Sequence, residues 1–415
     1  MPMDFSAQAT LAVCHHCDWV MTLPRLRAGE TACCPRCEHK LPGQQHTSIQ
    51  SQLAWASAAL IMLAAAIAFP FVSFEVQGIK HTIIVADTAL ALFDYDFPFL
   101  GLVVLTTTIL LPTAYLLVLL YLHGVLASGR RPMGAQTLAR LLTSIKPWVM
   151  SDVFVVGVLV SMIKVLSLAS LQLGPAFPAF CAYAVLLLKS ISSFDPGTLW
   201  TAISGPVDPP VDLAPGSPAA TQGAAGCTRC NAIVNTASQT RCPRCGYHPI
   251  APNPRRLQAT WALLIAAGIL YIPAMAYPIM ITTELGRTSP QTVVGGARLL
   301  LETGSWPIAL IIFTASIVVP IGKVLALGWL CLQAQAGTGR SAYDRLRLYR
   351  LVEAIGRWSF LDVFVVALLT ALIQAGELMR VQPSPGVVIF AIVVILTMLA
   401  AMAFDPRLIW RVHEK

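Results

Sequence analysis

Apolar runs of helix length recur along the 415-residue chain and are separated by more polar segments. Eight such runs stand out, at residues 53–74, 97–122, 148–169, 175–194, 259–281, 306–332, 360–376 and 387–404. Each is close to the roughly 17–25 residues that a helix needs to cross a bilayer. The pattern therefore predicts eight transmembrane helices, in two groups of four.

The two groups are copies of one pattern. The segment Ser-Asp-Val-Phe-Val-Val at 151–156 returns as Leu-Asp-Val-Phe-Val-Val at 361–366, and Phe-Asp-Pro at 194–196 returns at 404–406. Both matches have an offset of 210 residues, so the repeat is in register. Self-similarity at a fixed period indicates that one structural unit has been duplicated.

Cysteine pairs with a C-x2-C spacing precede each group of helices and are the most specific chemical signal in the chain. Eight of the eleven cysteines form two sets: Cys14, Cys17, Cys34 and Cys37, then Cys227, Cys230, Cys242 and Cys245. Two such turns can close a four-sulfur shell around zinc, and this predicts two structural zinc sites. Iron takes the same ligand set and stays an alternative. Nearby side chains that could replace a ligand are His15, His16, Cys33, His39 and His248.

These patterns together predict an all-α polytopic membrane protein built from two tandem repeats. Each repeat is expected to contain a small zinc-ribbon (rubredoxin-like) module followed by a four-helix transmembrane unit. The predicted boundaries are 1–52 and 227–258 for the modules, 53–204 and 259–415 for the membrane units, and 205–226 for a linker rich in Pro, Ala and Gly.

Composition supports a membrane protein and argues against a soluble enzyme. Hydrophobic residues make up 56% of the chain and charged residues only 12%, which leaves too little polar surface to coat a soluble globule of this length. Neither G-x-x-x-x-G-K-[ST] nor H-E-x-x-H is present, so no ATP-driven or zincin-type chemistry is predicted. We expect the protein not to be an enzyme.

The distribution of Lys and Arg predicts the orientation. Placing the N-terminus, residues 123–147, 195–258 and 333–358, and the C-terminus on one side gathers 21 of the 28 basic residues there. Such a bias is typical of cytoplasmic segments, so both termini and both cysteine modules are expected in the cytoplasm. The net charge of +8 then reflects topology, and no nucleic-acid partner is predicted.

A few charged residues fall inside the predicted spans. Asp152 and Asp362 are matched between the repeats, and Lys164 and Lys323 lie in spans three and six. An ionised side chain at this depth needs a partner, water or an interface. We expect Lys323 to face Asp362 beside a kink at Pro320 and to form a transport pocket or proton relay with it. A purely structural ion pair is the alternative.

The combination of features resembles the paraquat-inducible protein A family. Two C-x2-C…C-x2-C modules each lead a four-helix unit, and W-x3-D-V-F-V-V at 148 and 358 opens the third helix of each unit. The resemblance implies a bacterial inner-membrane protein that loads or receives phospholipid at a periplasmic tunnel of MCE-domain proteins. It also implies a polar site at Lys323, Ser359 and Asp362, for which the first repeat has Tyr115 and Val149 in place of the lysine and the serine.

Two other functions remain open from the sequence. A membrane redox protein would use the cysteine-ligated metal, and a non-transporting anchor would only hold the MCE tunnel in place. Lipid identity, the direction of transport and the energy source are not encoded in a recognisable motif.

Overall fold

The computed structural model describes residues 10–23, 30, 32–41, 49–76, 79–166, 170–205, 212–248, 254–284, 286–302, 304, 306–336, 342–373 and 379–411. Helices dominate these residues, and eight helical segments are long and apolar enough to cross a membrane. The predicted number of spans and their division into two sets of four are confirmed.

The first repeat contains the following elements in order: β1 Thr10–Val13, β2 Val20–Leu23, α1 Ile49–Ala68, β3 Val72–Val76, β4 Ile79–Ile83, α2 Asp87–Asp94, α3 Pro98–Leu105, α4 Leu111–Ala127, α5 Ala135–Ile145, α6 Ser151–Leu166, β5 Ser170–Leu173, α7 Ala176–Ser193 and α8 Pro196–Ser204. A π-helical turn, Thr106–Leu110, joins α3 to α4, and a short 3-10 segment, Lys146–Trp148, lies between α5 and α6.

The second repeat follows the same order: β6 Ala224–Gly226, β7 Ile233–Asn235, α9 Pro254–Ala276, β8 Met280–Glu284, β9 Arg287–Gln291, α10 Val293–Glu302, α11 Trp306–Phe313, α12 Val319–Ala336, α13 Ala342–Gly356, α14 Leu361–Leu372, β10 Met379–Pro383, α15 Pro385–Ala403 and α16 Leu408–Arg411. A π-helical turn, Thr314–Val318, and a 3-10 segment, Arg357–Phe360, occupy the matched places.

The helix of the first span in each repeat ends several residues earlier than the sequence predicted. Helix α1 ends at Ala68 instead of 74, and α9 ends at Ala276 instead of 281. Pro70 and Pro278 follow these ends, and a proline pushes the preceding residue out of the helical region. The residues beyond each proline form β3 and β8, so these apolar residues belong to a sheet and not to the helix.

Two segments that were assigned to cytoplasmic loops contain helices. Residues 123–147 include α5, and residues 333–358 include α13. Helix α13 continues through its 3-10 segment into α14, whereas Val149, which has an extended backbone, and Met150 separate the first 3-10 segment from α6. The apolar stretches run over Ala135–Ile163 and Ala342–Leu372.

Pro112 and Pro320 do not break their helices. Each stands in the first turn of the helix after a π-helical turn, in which the N–H of Leu111 or Val319 bonds the carbonyl five residues earlier. The wider turn accommodates the proline and shifts the angular position of every side chain that follows.

The segments between the first and second spans form small antiparallel sheets, which the sequence did not predict. Strand β3 pairs with β4 and β5, and β8 pairs with β9 and β10. The last strand of each sheet comes from after the third span, so each sheet ties the segment after the first span to the segment after the third. A glycine follows at the start of the fourth span, because a Cβ on Gly174 would lie 2.0 Å from the carbonyl oxygen of Pro70, and one on Gly386 would lie 2.3 Å from that of Pro278.

The two repeats meet through their third spans. Helix α14 packs against α6 and against α2 of the first repeat, and all twelve of its residues are buried. At the periphery, α1 packs on α7 and α9 packs on α15 in the same way. We call the end of the bundle that carries the cysteine modules the module side, and the end that carries the two three-stranded sheets the sheet side.

Candidate functional site

The eight predicted ligand cysteines form two buried clusters of four. In each cluster the sulfur atoms all lie within 4.8 Å of one another. The Sγ atoms of Cys14 and Cys37 are 3.6 Å apart, and those of Cys230 and Cys242 are 3.4 Å apart. A tetrahedral zinc site with Zn–S bonds of about 2.3 Å has sulfur–sulfur edges of about 3.8 Å. The geometry therefore fits a tetrahedral four-sulfur metal site, as the sequence predicted.

The backbone of each C-x2-C turn is shaped in the same way four times. The residue after the second cysteine has a positive φ in every turn: Asp18 (59°), Glu38 (56°), Asn231 (59°) and Gly246 (69°). Its N–H bonds the carbonyl of the first cysteine of its turn, at distances of 2.7 to 3.0 Å. This turn points both thiols to one side, and the left-handed residue reverses the chain so that the next strand or loop can return.

Histidines near the first cluster are not part of it. The rings of His16 and His39 lie against each other with centroids 3.9 Å apart. Burial lowers the pKa of His16 to about 3 and that of His39 to about 4, so both are neutral at neutral pH. The exposed Cys33 and the histidines lie outside the four-atom shell, and the predicted cysteine sets need no substitute ligand.

The first cysteine module packs on the second membrane repeat. Arg350 of α13 donates to the Cys37 carbonyl at 3.0 Å, and the Tyr343 hydroxyl donates to the Glu38 carboxylate. The Arg36 guanidinium lies between the rings of Trp19 and Trp410, 4.7 and 4.5 Å from their centroids. The module is thus docked on α13 and α16, far along the chain from its own four helices.

The second module packs on the first repeat in the same manner. Arg244 donates to the Thr201 hydroxyl and to the Gly205 carbonyl, both at 2.9 Å. Arg140 of α5 lies so close to Gly246 that a Cβ there would be 2.8 Å from its Nη2 atom. Arg140 precedes Arg350 by 210 residues, so matched arginines lie against the two modules. Each module is exchanged onto the other repeat.

The two modules also contact each other on the module side. The His15 Nε2 atom and the Asn231 Oδ1 atom are 2.6 Å apart. Residues 212–226, predicted as a linker, pack on the first module: the Val20 N–H bonds the Ser217 carbonyl, and the Asp18 carboxylate accepts from the Ala220 N–H. The described part of this segment therefore fixes the first module beside the second.

A buried ion pair supports the docking surface of the first module. Arg407 bonds both carboxylate oxygens of Asp405, at 3.0 and 2.8 Å, and both residues are 3% exposed. Although burial opposes its charge, the bidentate bond raises the pKa of Arg407, so it stays charged. The matched Asp195 caps α8 by accepting from the Gly197 and Thr198 N–H groups.

Lys323 is buried within the apolar segment Ala309–Ala336, but its partners differ from the expected one. Its Nζ atom donates to the Gly356 carbonyl at 3.2 Å and to the Thr397 hydroxyl at 3.0 Å. The side chain is 2% exposed. Two of its three N–H donors are satisfied by uncharged groups. Among the described residues, Lys323 therefore does not pair with Asp362.

Asp362 faces a separate small space. It lines a cavity of about 20 Å³ together with Thr292, Gly296 and Val366. This cavity is reached from the sheet side, since Thr292 lies between β9 and α10. The predicted Lys323–Asp362 pair is replaced by two polar groups that face different cavities.

The remaining predicted pocket residues have distinct surroundings. Asp152 of α6 lies 3.9 Å from the guanidinium of Arg357, which belongs to the 3-10 segment before α14 in the other repeat. Ser359 is 1% exposed and lies in the 3-10 segment before α14. Lys164 belongs to α6, and its side chain lies outside the described residues.

A cleft of about 600 Å³ opens between the two repeats, towards the module side. Its walls are the 3-10 segment before α6 and the end of α7 in the first repeat, and α12, α13 and α15 in the second. Lys323 reaches the cleft from α12, while Lys146, Arg350 and Arg357 add positive charge. Its volume lies within the roughly 300–1,000 Å³ typical of small-molecule sites.

Several residues of this region were not identified from the sequence. Thr397 and Gly356 hold Lys323, yet a threonine and a glycine in apolar or amphipathic helices carry no specific signal. Arg357 was counted only as a topological charge. A further signal was present in the sequence: Lys146 and Arg357 flank the two Trp residues that open the matched third spans.

Fold and site together define a multi-pass membrane protein with two duplicated halves, each half bearing a docked four-cysteine module. The model of the family described as paraquat-inducible protein A matches residues 49–204 and 257–414. The chain belongs to the paraquat-inducible protein A family, as its motifs indicated.

Three related proteins align over nearly the whole chain. Intermembrane transport protein PqiA of Escherichia coli K12 is 39% identical over 400 residues, which is 96% of this chain and 95% of the relative. Lipophilic envelope-spanning tunnel protein A of the same organism is 30% identical, covering 97% of this chain and 91% of its own. A probable intermembrane transport protein of Haemophilus influenzae is 28% identical, with 97% and 96% coverage.

No solved structure matches the chain. Two of these relatives are named as intermembrane transport proteins and one as a lipophilic envelope-spanning tunnel protein.

Proposed function

We propose that this protein is the inner-membrane component of an intermembrane phospholipid transport system. It would load lipid into, or receive lipid from, a periplasmic tunnel of MCE-domain proteins. The observation that carries the proposal is the cleft of about 600 Å³ between the repeats, with the buried Lys323 in its wall. A charged site inside an apolar bundle suits a lipid, which has both a polar head and apolar chains.

The proposed orientation puts the module side in the cytoplasm and the sheet side in the periplasm. The excess of Lys and Arg on the module side supports it. The cleft would then open at the level of the cytoplasmic leaflet, and the sheets would face the tunnel.

The exposed strand edges on the sheet side support docking of a tunnel subunit. Strand β9 is an edge of its sheet, and its residues from Arg287 to Pro290 are exposed. An exposed edge presents unpaired backbone groups to a partner. A role as an anchor alone therefore stays as a second candidate, and it requires the sheets but not the cleft.

Coupling to a proton gradient would use Asp362 and Lys323. Asp362 borders a cavity on the sheet side, and Lys323 borders the cleft on the module side. Two titratable groups that open to opposite sides of one bundle are suited to alternating protonation. The cavity beside Asp362, about 20 Å³, has room for a single water molecule.

In the proposed role the metal is structural zinc. The four-sulfur shells are closed by protein ligands, which is typical of structural sites and leaves no open position for catalysis. The modules would hold the module-side ends of the two repeats together through their exchanged docking. A redox role would require iron in the same four-sulfur shells.

Site-specific photo-crosslinking in cells tests the transport proposal. A benzophenone amino acid at Met398, which lines the cleft, is expected to capture phospholipid, whereas one at Leu332, on the exposed face of α12, would report bulk bilayer lipid. A Lys323→Met change should lower capture at Met398 only. Equal capture at both positions that does not respond to Lys323 would contradict a lipid site in the cleft.

A further inference from the structure

The cleft contains more positive charge than its local partners neutralise. Lys146, Lys323, Arg350 and Arg357 all line it, and Glu353 is the one carboxylate among its lining residues in the described part of the chain. Asp152 adds a second carboxylate just behind Arg357, at 3.9 Å. Asp195 is a third carboxylate, close enough to interact electrostatically with Lys146. The balance still leaves one positive charge.

The contacts of these cations show which of them are available. Arg350 is engaged by the Cys37 carbonyl, and Lys323 is engaged by Gly356 and Thr397. Lys146, in contrast, makes no hydrogen bond or close ion pair among the residues that the structure describes, and only the more distant Asp195 carboxylate acts on it. Arg357 makes a long contact to Asp152 and interacts electrostatically with Glu353, but it donates no hydrogen bond to either in the described part of the chain. Lys146 and Arg357 come from different repeats and border one space.

The same cleft has an apolar wall. Leu188 and Ile191 of α7 line it from one side, and Met398 and Met402 of α15 line it from the other. Leu188 and Met402 are also exposed on the outer surface of the bundle, at 39% and 46%. The apolar wall is therefore continuous with the surface that contacts the hydrocarbon of a bilayer.

We propose that Lys146 and Arg357 bind the headgroup of a net-anionic phospholipid whose acyl chains lie along α7 and α15. This deepens the proposed function by giving the cleft a substrate class. Basic pockets between membrane helices recognise anionic headgroups, and each Lys or Arg near the membrane surface contributes attraction to anionic lipid. A phospholipid has both a phosphate and acyl chains, so it needs a cleft with a cationic end and an apolar wall. A free phosphate would need only the cationic end.

Binding is measured on the full-length purified protein by native mass spectrometry, with phosphatidylglycerol and phosphatidylethanolamine as probes. We expect preferential retention of phosphatidylglycerol. Lys146→Gln should weaken its affinity about fivefold, the value that corresponds to ~1 kcal/mol, and leave phosphatidylethanolamine unchanged. The double change Arg357→Gln with Asp152→Asn keeps the net charge of the cleft and removes only the contact between the Arg357 guanidinium and the headgroup, so it should weaken the affinity for phosphatidylglycerol in the same direction.

Lys189→Gln is the matched control. Lys189 lies on the same end of α7 and is exposed, but it does not line the cleft. Its change should leave both affinities as in the unmodified protein. An equal loss for Lys189→Gln and Lys146→Gln would overturn the proposal, because general membrane charge would then explain the preference.

Inorganic phosphate and glycerol 3-phosphate separate a lipid site from a simple anion site. Neither should displace phosphatidylglycerol at millimolar concentration, and displacement by either would refute a lipid headgroup as the ligand. Failure of headgroup selectivity together with normal crosslinking of lipid at Met398 would reject this inference and keep the proposed function. Selective binding with no lipid transfer in cells would keep this inference and reject the proposed function.

Discussion

Phe154 and Phe364 occupy the same position in the two repeats, and their rings contact each other edge to face with centroids 5.5 Å apart. Two copies of one residue meet where a two-fold axis relates their surroundings. The duplicated halves therefore face each other through α6 and α14. The exchange of the cysteine modules obeys the same relationship, with Arg140 and Arg350 in matched roles.

Close packing at this axis makes Gly157 sensitive to substitution. A Cβ on Gly157 would lie 3.1 Å from the Cβ of Phe364. Gly157→Val should separate α6 from α14 and destabilise the protein by about 1–3 kcal/mol. Gly124→Val is the control, since a Cβ there meets nothing within 4 Å. Thermal unfolding in detergent, followed by size-exclusion chromatography, compares the two; equal midpoints would show that the helices are not tightly packed there.

Metal content tests the cysteine clusters. The purified protein should contain two zinc ions per chain, and Cys34→Ser should reduce this to about one and lower the amount of folded protein. Cys33→Ser changes the neighbouring, exposed thiol and should alter neither quantity. Elemental analysis beside immunoblots gives the answer, and a metal content well below two in the unmodified protein would reject the assignment.

The exchange of modules can be tested by crosslinking. Glu38 of the first module bonds Tyr343 of the second repeat. Glu38→Cys with Tyr343→Cys should therefore form a disulfide under mild oxidation in a background lacking Cys33 and Cys181. Met133 is the matched position in the first repeat, so Glu38→Cys with Met133→Cys should stay unlinked. Mass spectrometry of the peptides distinguishes them, and a link only in the second pair would mean that each module sits on its own repeat.

The two matched aspartates should differ in importance. Asp362 is 6% exposed and lines the sheet-side cavity, whereas the Asp152 side chain is 21% exposed and lies near Arg357. Asp362→Asn keeps the shape and removes the titratable proton, so we expect loss of envelope-barrier complementation at normal protein abundance. Asp152→Asn should have a milder effect. Equal loss at both would refute the asymmetry, and full activity of both would favour the anchor.

Orientation is tested by labelling single cysteines with an impermeant thiol reagent. Met133 is 86% exposed on the module side, and Ser289 is exposed on the sheet side. In intact spheroplasts Ser289→Cys should react, while Met133→Cys should react only after the inner membrane is opened. The opposite pattern would place the cysteine modules in the periplasm.

Prediction from sequence worked best where a signal is local. A span needs about twenty apolar residues, and a C-x2-C pair needs only its own turn, so both could be recognised without knowing what lies nearby. The errors at the span ends have a local reason as well. Residues 70–74 and 278–281 are apolar enough to extend a helix, but each range begins with a proline and runs into a strand that pairs with a distant one. Pairing between segments about a hundred residues apart is not visible in hydropathy.

By itself the sequence determined the eight spans, the duplication and the two metal-ligand sets, because each depends on residue type at fixed spacing. Only the tertiary structure decided that each module crosses to the other repeat and that Lys323 bonds Gly356 and Thr397 instead of Asp362. Such choices depend on how helices rotate and pack, and a π-helical turn seven residues before Lys323 rotates its side chain without any change in spacing along the chain. The cleft exists for the same reason: its cations come from different repeats and meet only after the halves associate.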